Sequence, residues 1–148
     1  MLKYYGILGI LLIIFVELNF FFNIQPFANW YFPIVWFAYI LVIDSLNYNI
    51  KGKSYINNHF LNFLGLFFLS SLFWSLFEFL NVFVQNWEYI GTGNLGSYIQ
   101  FFKIISFSTV LPALFETTSL IKSIHFFDNF KLKKMFKISK IFLITMIF

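Results

Sequence analysis

A chain of 148 residues that is 60% hydrophobic, 25% aromatic and 11% charged cannot cover itself with polar side chains in water. A soluble domain is roughly half apolar and about a quarter charged, so lipid is the solvent that fits this composition, and the length suits one all-α domain of roughly four or five short helices. Cysteine is absent, which excludes disulfides, thiolate metal sites and cysteine nucleophiles, and the net charge of +4 points to anionic headgroups rather than nucleic acid because the Lys residues sit beside apolar segments.

The first apolar segment runs from Tyr4 to Ile24 and reaches about 30 Å as a helix, enough to cross the hydrocarbon. It is too long for a signal peptide, and no small-residue cleavage site follows it. The turn NIQPFANW leads into a second span over Phe27–Tyr48, with Pro33 in its first turn or two, where proline is tolerated. Gly52, between Lys51 and Lys53, marks the next turn. A third span covers Phe60–Val84 and a fourth covers Tyr98–Ile121. The transmembrane domain is thus 1–121, a four-span helix bundle. Residues 122–148 form a basic juxtamembrane segment, read either as an amphipathic helix on the inner leaflet or as the approach to a truncated fifth span.

Every basic residue is Lys, and Lys cannot make the bidentate fork that Arg offers phosphate or carboxylate. Lys3, Lys51, Lys53 and all those from Lys122 to Lys140 fall on one side if four spans alternate. Lys103, near the start of the fourth span, is the exception and can snorkel to the opposite interface. The positive-inside rule then places the N-terminus in the cytoplasm, with the chain as a multi-pass protein of the cell (inner) membrane.

Each span carries one carboxylate: Glu17, Asp44, Glu78 and Glu116. Insertion scales put such a residue at roughly 2.5–3.5 kcal/mol at a helix centre, so one per span points to a polar interior. By depth they separate into an outer pair, Glu17 with Glu78, and an inner pair, Asp44 with Glu116, the latter roughly 6–9 Å from the inner ends of their spans.

The outer layer has the richer surroundings. Ser71, Ser75, Glu78, Asn81 and Gln85 recur at spacings that place them on one helical face, with Trp74 beside it. Two readings follow: a polar pocket or path open to the outside, with Glu78 as proton acceptor or cation ligand and Glu17 in the same candidate site, or interhelical hydrogen bonding alone. On the inner side, Asp44, Asn47, His59 and Glu116 offer acid, amide and imidazole groups at similar depth, suited to acid–base work on a headgroup or to holding a metal, with pairing to Lys51 or Lys53 as the plainer reading of Asp44. No HExxH, paired His or acidic metal motif is present, so no metal site is assigned, and no cofactor is named by any motif. Pro112 precedes Glu116 by one turn and frees a carbonyl near Ser108, which predicts a kink. Gly6 and Gly9 allow another helix to approach closely. Tyr4, Tyr5, Trp30, Tyr31, Tyr89 and Tyr98 read as interface anchors. GTGNLG at 91–96 lacks the context of a phosphate loop.

Three stretches, FPIVWFAYILVIDSLNYNIKGKS, WSLFEFLNVFVQNWEYIG and FSTVLPALFET, resemble a group of small bacterial integral membrane proteins of no assigned function. The resemblance implies that Asp44, Glu78, Asn81, Trp87, Tyr89, Pro112 and Glu116 belong to the group's pattern. It implies no substrate or reaction. Three functions stay open: a binding or transport component with an acid-lined cavity, a small membrane enzyme acting on a lipid or isoprenoid through Glu78 or Glu116, and a structural subunit of a homo- or hetero-oligomer.

Overall fold

The computed structural model describes residues 2–89 and 98–124, which form helices and connecting turns with no strand among the described residues. Its elements are α1 (Tyr4–Phe21), α2 (Tyr31–Lys51), a single turn α3 (Tyr55–Asn58), α4 (Phe60–Val84), α5 (Ile99–Ser108) and α6 (Val110–Ser123). Four stretches are long and apolar enough to cross a membrane: α1, α2, α4 and the α5–α6 pair, Ile99–Ser123. The chain is an all-α bundle of the multi-pass membrane type. The loop at 91–96 and the basic segment beyond Ile124, including any fifth span, lie outside the described residues.

The second span starts later than its hydropathy suggests, at Tyr31 rather than Phe27. Residues 23–30 wind through tight turns instead, with Asn23 in the left-handed region at φ 53° and Ala28 N–H bonded to Ile24 O at 2.9 Å. Pro33 is then the third residue of α2, inside the first turn, where backbone N–H groups lack intrahelical partners in any case. At the other end Gly52 takes φ 71° and returns its N–H to Tyr48 O at 2.8 Å, the left-handed turn that Gly accepts without penalty.

Helix α2 is the centre of the fold, packed against α1 on one side and α6 on the other, while α4 closes on α5 and α6. The α1–α2 seam is tight because two glycines permit it: a Cβ added at Gly6 would stand 2.4 Å from Ser45 Cβ, and one at Gly9 would stand 2.7 Å from Ala38 O. Without a hydrophobic drive between helices in lipid, such close backbone approach is a main source of association. The core proper is small, built on Ile40, Phe63 and Ala113 with Trp36, Tyr39 and Phe67 around it. Only 11% of the apolar window of α4 is buried, and Leu61, Phe68 and Phe83 point outward. A face of that size suits acyl chains rather than water.

The fourth span is interrupted at Thr109, between α5 and α6. Pro112 has no N–H to return to Ser108, so the ladder fails one turn before it. Hydroxyls fill the gap. Thr109 donates to Ser106 O at 2.6 Å, and Ser108 donates to Ile105 O at 2.6 Å. Ser70 of α4, fully buried, donates to Phe107 O and accepts from Leu111 N–H at 3.1 Å, so it binds both sides of the break.

Candidate functional site

The outer carboxylates do not meet. Glu17, on the last turn but one of α1, is exposed and accepts a hydrogen bond from Tyr31 at 2.8 Å. Glu78 is turned instead toward α5, where Lys103 donates to its Oε2 at 2.9 Å as an ion pair. Its Oε1 accepts from Trp87 Nε1 at 3.0 Å and from the Tyr89 hydroxyl at 2.5 Å. Lys103 also lies 4.1 Å from the centroid of the Tyr89 ring. Charge and lone pairs are thereby met within one cluster, which fastens the chain after α4 onto α5. Tyr89 is 41% exposed as a whole residue, and its hydroxyl is turned onto Glu78 and partly buried there. That burial, followed by the hydrogen bond to Glu78, pushes the phenol up from 10.0 to about 12.

Asn81 and Gln85 serve the end of α4. Asn81 Oδ1 accepts from Asn86 N–H at 2.9 Å, and its amide donates to Trp87 O at 2.8 Å, while Gln85 adopts the left-handed C-cap at φ 53°. With Asn86, Trp87 and Glu88 they line a polar hollow of about 430 Å³ at the rim. Ser71 donates to Ile104 O at 3.2 Å. Ser75, on the same stripe, stays exposed. The stripe therefore divides into a helix seam, an ion pair and a cap.

The inner carboxylates do meet. Because α2 runs on to Lys51 and α6 to Ser123, Asp44 and Glu116 each sit seven residues from a helix end, about 10 Å deep. Both are fully buried, as are Asn47 and Ser45 beside them. Asp44 accepts from the Tyr5 hydroxyl at 2.7 Å and from Ile56 N–H at 2.9 Å. Glu116 Oε2 accepts from the Asn47 amide at 2.7 Å, and the same amide donates to Glu116 O at 3.0 Å. The carboxyl of Glu116 lies within hydrogen-bonding reach of that of Asp44, and its Oε1 has no donor among the described residues. Ionised carboxylates only accept, so two that face each other can bond only through a proton on one of them.

Neither Lys51 nor Lys53 pairs with Asp44. The Lys51 ammonium donates to Ser119 O and Oγ, each at 2.6 Å, and acts on Glu116 only through space. His59 is exposed at the α3–α4 junction and lines a shallow hollow with Lys51, Lys53 and Ser119.

Tyr5, Asn57 and Ser54 belong to the inner cluster and carry no obvious signal in the sequence. Tyr5 resembles an interface anchor until α1 is packed beside α2. Asn57, exposed on α3, donates to the Tyr5 hydroxyl at 2.6 Å, so a hydrogen-bonded line runs from the surface through Tyr5 to Asp44. A cavity of about 600 Å³ between α2 and α6 is apolar and lined by Trp36, Tyr39, Leu114 and Thr117 rather than by acids.

None of the protein-family models, curated proteins or solved structures compared with the chain matches it.

Proposed function

We propose that this protein is a membrane-embedded proton-binding component in which Asp44 and Glu116 together take up and release one proton. The single observation behind this reading is the pair of fully buried, facing carboxyls with one oxygen left without a donor. Two negative charges at close range in an apolar bundle are costly, and one shared proton removes both the repulsion and the orphaned acceptor. Uptake takes the pair from two negative charges to one.

The Tyr5 hydroxyl is the group that can pass a proton between the pair and the end where the N-terminus lies, and the Asn57 amide orients that hydroxyl without carrying the proton. Lys3 stands 3.9 Å over the Tyr48 ring, and Lys51 and Lys122 close the same end. By the positive-inside rule this end is cytoplasmic in a bacterial inner membrane. Toward the opposite end the pair meets the apolar core at Ile40, Phe63 and Ala113. Access from one side suits proton binding coupled to a conformational change or to a partner subunit better than an open conducting path.

The test is proton release after an alkaline pH jump, followed with an indicator dye on purified protein in lipid nanodiscs. Wild type should release one more proton per chain than Glu116→Gln. Equal release from the two would overturn the reading.

A further inference from the structure

We propose that the basic end of the bundle holds the phosphate of an anionic headgroup between Lys51, Lys53 and Lys122. Two adjoining hollows lie there, of about 230 and 300 Å³. They share Lys51, Tyr55 and Ser119; the first adds Lys53 and His59, the second Thr118 and Lys122. The three ammonium groups are near enough for Lys53 and Lys122 to act on Lys51 electrostatically. Among the described residues the one salt bridge, Lys103–Glu78, is at the opposite end and neutralises none of them.

Geometry favours a phosphate over a diffuse counterion cloud. The Lys51 ammonium is fixed by two bonds to Ser119, which leaves one of its three N–H donors to offer to a ligand. The hydroxyls of Thr118 and Ser119 stand on the wall of the second hollow beside Phe115, an apolar surface of the kind a glyceride backbone packs on. Lys51 and Lys122 also occupy the last turns of α2 and α6, where they offset helix ends of about half a negative charge each. Three full positive charges exceed that offset. Helix ends also place the hollows at the depth where headgroups lie, and the basic side of a membrane protein faces the more anionic leaflet.

The shared chemistry is a phosphate mono- or diester, and either a lipid or free phosphate supplies it. Native mass spectrometry of the full chain, exchanged separately with phosphatidylglycerol and with phosphatidylcholine, distinguishes the sources, with inorganic phosphate as competitor. One phosphatidylglycerol should be retained about tenfold more tightly than phosphatidylcholine, and the Lys53→Gln/Lys122→Gln variant should lose that preference. Lys53→Arg/Lys122→Arg should keep it, which separates loss of charge from loss of fold. Displacement by millimolar inorganic phosphate assigns the site to phosphate itself, whereas resistance assigns it to the whole lipid. Equal retention of the two lipids with no phosphate effect, or a preference unchanged in the Gln variant, would overturn the proposal. The result is independent of the carboxyl pair, because none of these substitutions touches Asp44 or Glu116.

Discussion

Lys103 of α5 and Glu78 of α4 are joined at 2.9 Å, each about one-fifth exposed, and this ion pair organises the end of the bundle opposite the basic rim. A Lys in the first turns of a span looks like a residue that snorkels to water. Here its ammonium turns to the neighbouring helix instead, because a half-buried carboxylate without a cation would be costlier than the bent side chain. Glu78, the acid with the most polar sequence neighbours, is consequently the most fully satisfied of the four.

Tyr89 reports on that cluster. Its phenol, raised to about 12 by burial and by Glu78, keeps its proton where an ordinary tyrosine has lost it. The contribution to stability is fully present below pH 10.0, the ordinary value, and is lost as pH rises through about 12. The difference between wild-type and Tyr89→Phe ultraviolet titrations should show a midpoint near the upper value. In Glu78→Gln it should move toward the lower one.

Ser70 carries the repair of the broken fourth span. Ser70→Ala leaves Phe107 O and Leu111 N–H without their partner in an apolar environment, which costs about 1–2 kcal/mol. Thermal unfolding in detergent should fall accordingly. Ser71→Ala, removing a longer bond of 3.2 Å on a more open surface, should change it less.

Much of the architecture was legible in hydropathy alone, since a run of some twenty apolar residues has few alternatives in lipid. The four spans, the Pro112 break and the close approach at Gly6 and Gly9 all follow from local chemistry. The site was harder to read. Periodicity showed that Ser71, Glu78 and Asn81 share a face, but it could not show that Asn81 turns to the loop and Glu78 to Lys103. Ser70, one residue off the stripe, proved the deeply buried serine because α5 breaks beside it. Depth did pair Asp44 with Glu116, yet Tyr5 and Asn57 join them only through the packing of α1 and α3, separations of 39 and 52 residues that no local pattern encodes.

The α1–α2 seam should tolerate no side chain at Gly6. Gly6→Ala places a Cβ 2.4 Å from that of Ser45, so the helices must separate, at about 1–3 kcal/mol. Because Lys3 N–H bonds Ser45 and Tyr5 bonds Asp44, the same substitution should also loosen the inner cluster. Hydrogen exchange at Lys3 and Ile56 amides should rise in the variant.

Substitutions at Glu116 separate its chemistry from its packing. Glu116→Gln keeps volume, and its amide can donate to Asp44 while its carbonyl accepts from Asn47, so thermal stability should stay within about 1 kcal/mol. Glu116→Ala opens a cavity and leaves the Asn47 amide only its bond to the backbone O of residue 116, and should cost about 2–4 kcal/mol. Calorimetry of both variants in the same detergent measures the difference.

The shared proton itself is seen most directly by infrared difference spectroscopy. At neutral pH in lipid, wild type should show the carbonyl stretch of a protonated carboxylic acid that shifts in deuterium oxide and disappears in Glu116→Gln. A wild-type spectrum without that band, with both buried carboxyls ionised, would contradict the account.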